Sequence, residues 1–149
     1  MDDLDRRILG ELINDARKPL SRVAKAVDAA ETTVYQRVKR MEQRGVIRGA
    51  RLAVDWDEAG LGVVAIVSVE LMQSGSLHEA ADRFAEVPWV QNCFAITGEF
   101  DLLLVVRAHS SAHLGEVLEE IRTAVPGRTR TVVVLSTFFE GRIPPIGEG

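Results

Sequence analysis

The chain has 149 residues, 46% of them hydrophobic and 27% charged, enough apolar material for one large packed domain or two small ones, which excludes global disorder and fibrous repeats. No apolar run reaches the ~18 residues of a membrane span, Met1-Asp2-Asp3-Leu4-Asp5 is acidic where a secretion signal is basic, and the single Cys93 leaves no internal disulfide or multi-cysteine zinc site. A cytoplasmic protein with no membrane partner is expected, and its net charge of −4 is unevenly spread: residues 1–55 hold 12 Lys+Arg against 9 Asp+Glu, and residues 56–149 hold 6 against 13.

The chain opens in helical period. Leu4, Ile8, Leu9, Leu12 and Ile13 form one amphipathic stripe, and Asp2, Asp3 and Asp5 suit the positive end of its dipole. Asp15–Lys18 breaks this helix. Pro19 suits the first position of a short second helix to about Val27, with Val23, Ala26 and Val27 inward. A turn at Asp28–Glu31 leads to a third helix, from about Thr32 to Arg44, that stops at Gly45.

At about 100° per residue, Val34, Val38 and Met41 share a narrow seam of that third helix, and Thr32, Thr33, Gln36, Lys39, Arg40 and Gln43 take the opposite face. Between Thr32 and Arg51 six cations (Arg37, Lys39, Arg40, Arg44, Arg48 and Arg51) face one acid, Glu42. Three helices with a tight second turn describe a helix-turn-helix, for which Gln and Thr can read base edges while Lys and Arg grip phosphates. The candidate DNA-binding residues are Thr32, Thr33, Gln36, Arg37, Lys39, Arg40, Arg44 and Arg48. A solvated cationic face on a structural bundle is the alternative for the same pattern. Val46–Val54 then reads as an extended, wing-like segment.

The second half repeats one sentence. Val63–Leu71, Val90–Thr97, Leu102–Arg107 and Thr129–Phe138 read as strands. Ser76–Val87, with Leu77, Ala81, Phe84 and Ala85 inward, and Ser110–Ala124, with Leu114, Val117, Leu118 and Ile121 inward, read as helices. Two βαβ units of this size predict a ferredoxin-like βαββαβ sandwich, so the fold class is α+β. The expected organisation is a helix-turn-helix domain at 1–54, a linker at 55–62, a ferredoxin-like domain at 63–139 and a loose tail at 140–149. The strands are apolar on both faces although helices would cover only one, which predicts a homodimer through the other.

Three stretches resemble the leucine-responsive/asparagine-regulator (Lrp/AsnC, or feast/famine) transcription factors. They are Leu4-Asp5-Arg6-Arg7-Ile8-Leu9 with Leu12 and Asp15-Ala16-Arg17, then Arg37–Ile47, then Gly98-Glu99-Phe100-Asp101. The resemblance covers nearly the whole chain. It implies a DNA-binding regulator with a ferredoxin-like (RAM- or ACT-like) domain that dimerises and assembles to tetramers or octamers. It also implies a small effector, usually an amino acid, near Gly98, Glu99, Phe100 and Asp101, with Asp101 a partner for the ammonium group. Ordinary turn chemistry is the alternative for Gly98 and Asp101. The chain departs from the family where Gly-Leu-Ser commonly leads into the recognition helix. Asp28, Ala29 and Ala30 stand there, so the serine cap is missing unless Glu31 or Thr32 substitutes. Leu102 likewise replaces an aromatic that often follows the effector turn.

Other patterns carry less. His109 and His113 have metal-ligand spacing but no third ligand nearby, so they read as a solvated pair. Cys93 reads as a small buried hydrophobe, and Trp56 and Trp89 as covers of core edges. No catalytic, metal or cofactor site is expected. Two other readings remain: an effector-independent architectural DNA binder, and an enzyme resembling the sirohaem decarboxylases, which share this layout.

Overall fold

Helix α1 (Asp3–Asn14) begins on a capping box: Asp2 Oδ1 accepts from the Asp5 amide at 2.9 Å, and Asp5 Oδ2 accepts from the Asp2 amide at 3.1 Å. In this computed structural model, which describes residues 1–72, 76–142, 144 and 146, the chain divides into two units. One is Met1–Ala53 with the segment from Phe139 onward, and the other is Val54–Phe138.

The first unit packs α1 against α2 (Leu20–Ala26) and α3 (Glu31–Gln43). Ile8, Val23, Ala24, Val27, Val34 and Met41 are its buried core, with Leu4, Leu12, Val38 and Ile47 at the margin. The expected Ala26 is exposed and Ala24 takes its place. Residues 23, 24 and 27 share a face of a 3.6-residue helix once Leu20 also turns inward. Pro19 sits one position earlier than expected, as the N-cap, because its ψ of 137° is extended.

The turn before α3 is held by the Ala29 amide on the Ala24 carbonyl at 3.0 Å. Asp28 adopts φ +52°, left-handed backbone that glycine takes more easily. Ala30 is the N-cap of α3 and gives no side-chain hydrogen bond, so neither Glu31 nor Thr32 replaces the missing serine. At the other end Gly45 takes φ +70°, and the Val46 and Ile47 amides close on the Met41 carbonyl at 2.9 and 3.2 Å. The wing does not form: among the described residues no strand lies between Gln43 and Val63. An extended segment becomes a strand only with a ladder partner, and Val46–Val54 has none.

The linker is a hydrogen-bonded turn. Asp55 Oδ1 accepts from the Asp57 and Glu58 amides at 3.1 Å, and the Trp56 carbonyl accepts from Leu61 at 2.7 Å. Beyond it come β1 (Val63–Leu71), α4 (Leu77–Ala85), β2 (Val90–Ala95), β3 (Leu102–Ala108), α5 (Ser111–Ala124) and β4 (Gly127–Val133). The strands pair antiparallel in the order β2-β3-β1-β4, the ferredoxin-like topology that the repeated βαβ pattern predicts.

Ala65, Val67 and Val69 of β1 and Leu102, Leu104 and Val106 of β3 point to the helices, where they meet Phe84, Leu114, Val117 and Ile121. Helix α4 is rotated from the expected register. Ala80 and Phe84, with Val87 just beyond the helix, face the core, while Leu77 and Ala85 are exposed. Strand β2 ends at Ala95 rather than Thr97. Strand β4 starts two residues early and stops at Val133, short of Phe138. Its last bond, from the Val134 amide to the Val64 carbonyl, reaches the start of β1, and beyond it there is no strand left to pair.

The far face of the sheet carries Val64, Ile66, Leu103 and Val105 half-buried and Phe94 and Val132 half-exposed. Of the expected tail, Ile143, Pro145 and residues 147–149 lie outside the described residues.

Two substitutions test this packing. Ala30→Ser supplies the absent cap and should stabilise the helical unit by about 1 kcal/mol. Gly127→Ala drives a Cβ into the Glu70 carbonyl oxygen and should cost ~1–3 kcal/mol. Urea unfolding followed by far-UV circular dichroism reads both.

Candidate nucleic-acid interface and effector turn

On α3 the structure exposes Thr32, Tyr35, Gln36, Lys39, Arg40 and Gln43, and the cationic edge continues through Arg44 and Arg48. Thr33 and Arg37 are half-buried. Tyr35 was not among the expected contacts, yet it is 55% exposed beside Gln36. Its signal in the sequence was a lone aromatic one residue off the apolar seam.

Two of the expected phosphate anchors have partners inside the protein. Asp5 of α1 is 1% exposed. Its Oδ1 accepts from Arg37 Nη1 at 3.1 Å, and Arg40 Nη2 reaches both its oxygens, at 3.2 and 3.0 Å. Arg37 Nη1 also pairs with Asp2. A buried carboxylate must be hydrogen-bonded and charge-paired, and this one is met from both helices. Burial pushes the Asp5 carboxyl up, but the Asp2 amide and the Arg37 guanidinium outweigh it and hold it below its usual range. Asp2 is lowered to about 2, first by Arg37 and then by the Asp5 amide.

In the second unit Gly98 has φ +124°, a conformation strained for other residues. Asp101 closes the turn. Its Oδ2 accepts from the Leu71 amide at 2.8 Å, its amide donates to the Val69 carbonyl at 2.9 Å, and its carbonyl accepts from Ile96 at 2.9 Å. One carboxylate oxygen therefore serves the turn chemistry set against the effector role. Arg128, absent from the expected set, clamps the same turn. It donates to Glu70 at 2.6 Å and Glu99 at 2.7 Å, and its guanidinium carbon stands 5.3 Å from the Phe100 ring centre. Only the β1–β4 register brings Arg128 opposite Glu70.

The remaining singled-out groups are accounted for by local contacts. The His109 and His113 rings stack at 4.9 Å with Trp89 edge-on to both. The His109 amide donates to His113 Nδ1 at 3.1 Å, and His109 Nδ1 meets the Gly60 carbonyl at 3.0 Å. Among the described residues no three His, Cys, Asp or Glu side chains gather as metal ligands. Burial raises the half-buried Cys93 thiol. Trp56 lies under the Arg107 guanidinium, whose Nε donates to Gln91 at 3.1 Å. No helix among the described residues is long and apolar enough to cross a membrane.

Residues 1–42 match the family model of the AsnC-type helix-turn-helix domain, and residues 64–144 that of the Lrp/AsnC ligand binding domain. The chain is 32% identical to the HTH-type transcriptional regulator LrpA of Mycobacterium tuberculosis over 95% of each protein. It is also 32% identical to the proline dehydrogenase transcriptional activator of Rhodobacter capsulatus, over 98% of this chain and 97% of that one. Among solved structures, a feast or famine regulatory protein of M. tuberculosis complexed with L-methionine superposes with a TM-score of 0.90 at 31% identity. That superposition covers 96% of this chain and 97% of the other.

The carboxylate cluster gives the helical unit an acid limit. Asp2 titrates at about 2 in the folded state against 3.8 as an unperturbed group, and Asp5 is shifted the same way. A depressed folded-state pKa stabilises above the unfolded value and is lost as pH falls through the folded one. Helical signal should hold above about pH 4 and decline toward pH 2. Asp5→Asn should be less stable at neutral pH and flatter across that window, as read by thermal unfolding at each pH.

Proposed function

The chain belongs to the Lrp/AsnC family of helix-turn-helix transcriptional regulators, and from that footing we propose how its own residues would regulate. Helix α3 enters the major groove of duplex DNA. Thr32 and Gln36 address base edges there, and Lys39, Arg40, Arg44 and Arg48 address phosphates. The observation that carries this reading is the exposed face of α3, polar at its start and cationic at its end, in a chain that is acidic overall. Tyr35, exposed on the same helix, joins that surface.

Two such helices are needed for a palindromic site. The apolar far side of the sheet, centred on Ile66, Leu103 and Val105, is the surface through which a second copy pairs, with tetramers or octamers built from such dimers. An amino acid or a similar zwitterion is the effector. Its site is the Gly98–Asp101 turn, where the second Asp101 oxygen faces the ammonium group and backbone groups of the turn take the carboxylate. The methionine held by a solved relative supports this ligand class. The protein works in the cytoplasm, where its DNA is. The relatives are named as regulators, which favours this reading over catalysis.

With four phosphate-binding cations on each subunit, a dimer neutralising about eight phosphates should give a slope near −7 for log K against log salt, at roughly −0.9 per phosphate. A slope near zero would end the DNA reading. Gln36→Ala should lower base discrimination at one position per half-site by ~1–3 kcal/mol, measured by binding to single-base operator variants. Sedimentation at micromolar concentration should find no lone subunits.

Asp101→Asn keeps an acceptor for the Leu71 amide and removes the charge. It should abolish any thermal stabilisation by amino acids, which reaches about 2.7 kcal/mol at a hundredfold excess over Kd, while leaving the unliganded Tm in place. No stabilisation of the unmodified protein by any amino acid would favour the architectural alternative.

A further inference from the structure

Asp5 sits at the start of α1, yet its side chain is engaged from both α1 and α3. It receives the Asp2 amide, Arg37 and Arg40. A carboxylate offers about four acceptor positions, and these bonds fill them. The two arginines stand differently. Arg37 has 26% of its side chain exposed, and its Nη1 is shared between Asp5 and Asp2. Arg40 has 49% exposed and uses Nη2 alone on Asp5, so Nε and Nη1 make no hydrogen bond to the described residues.

We propose that Asp5 is a positioning residue of the DNA interface, which retains Arg37 as an internal ion-pair partner outside the phosphate-binding set and holds Arg40 with the rest of its guanidinium turned to a phosphate. The inference rests on the DNA-binding reading of α3. Its physical basis is the asymmetry of buried charge. Taking Arg37 to a phosphate would leave the Asp5 carboxylate desolvated with one cation fewer, a change far more costly than any gain at an exposed contact. A phosphate approaching Arg37 also meets the Asp2 carboxylate, which is half-exposed beside it. Arg40 is the more exposed of the two, 49% against 26%, and makes no hydrogen bond to Asp2. One of its nitrogens satisfies Asp5 while the planar fork still offers donors outward.

Only cations that neutralise phosphates release counterions and enter the salt dependence of binding. The test is therefore a comparison of slopes on a mixed-sequence duplex. Lys39→Gln should flatten log K against log salt by about 0.9 per bound subunit and leave Tm unchanged. Arg37→Gln should leave the slope unchanged and lower Tm. Arg37→Lys should recover part of that Tm. A slope flattened by Arg37→Gln as much as by Lys39→Gln would overturn the proposal.

Should Arg37→Gln fail to fold, guanidinium NMR on the unmodified protein decides the matter. Saturating duplex should shift the Arg40 Nε–H signal and leave that of Arg37 in place; the reverse would overturn the assignment. Salt-independent binding by the unmodified protein sinks the DNA reading itself, and this inference with it, whereas a normal slope that Arg37→Gln flattens sinks the inference alone.

Discussion

One buried carboxylate governs the helical unit. Asp5 is 1% exposed and lies on α1, while the charges that compensate it lie on α3. Because an uncompensated charge there is strongly unfavourable, the two helices can adopt only relative rotations that keep both guanidinium groups within reach. The apolar seam of Val34, Val38 and Met41 sets which side of α3 faces the core, and the ion pairs fix the register further, because hydrogen bonds to a carboxylate tolerate only a few tenths of an ångström. The outward face of α3, with Gln36 and Lys39, is in this sense a consequence of what Asp5 holds on the inner side.

The sheet unit shows the same division between packing and precise placement. Alternation along β1 and β3 buries Ala65, Val67, Leu104 and Val106 against the helices, and this needs only volume and polarity. The turn at Gly98–Asp101 is placed by polar bonds instead. Asp101 is anchored to both Val69 and Leu71 at the end of β1, and Arg128 holds Glu99 and Phe100 from β4. Two strands thus hold the four-residue turn, which gives it a defined shape.

Much of this was legible in the residues alone. The helical stripe, the stop at Gly45 and the two βαβ units follow from local propensity and period, and all three appear where expected. The errors lie at helix rotation and strand ends. Ala24 replaces Ala26, and Ala80 and Val87 replace Leu77 and Ala85, because small residues such as alanine give weak evidence of facing. Strand β4 ends early because its length is set by β1, a partner 60-odd residues away. The wing fails for the same reason: extended propensity without a neighbour makes no strand.

The sequence by itself determined the α+β class and the polar face of α3, which are written in the period of individual elements, and the family through the resemblance of three stretches spread along the chain. The tertiary structure alone decided which cations on that face have partners inside the protein. Arg37, Arg40 and Lys39 are adjacent cations on paper. They differ because folding brings Asp5, more than thirty residues earlier, against two of them and not the third. Burial and long-range pairing are properties of the assembled chain, and a charge acquires its role from what surrounds it.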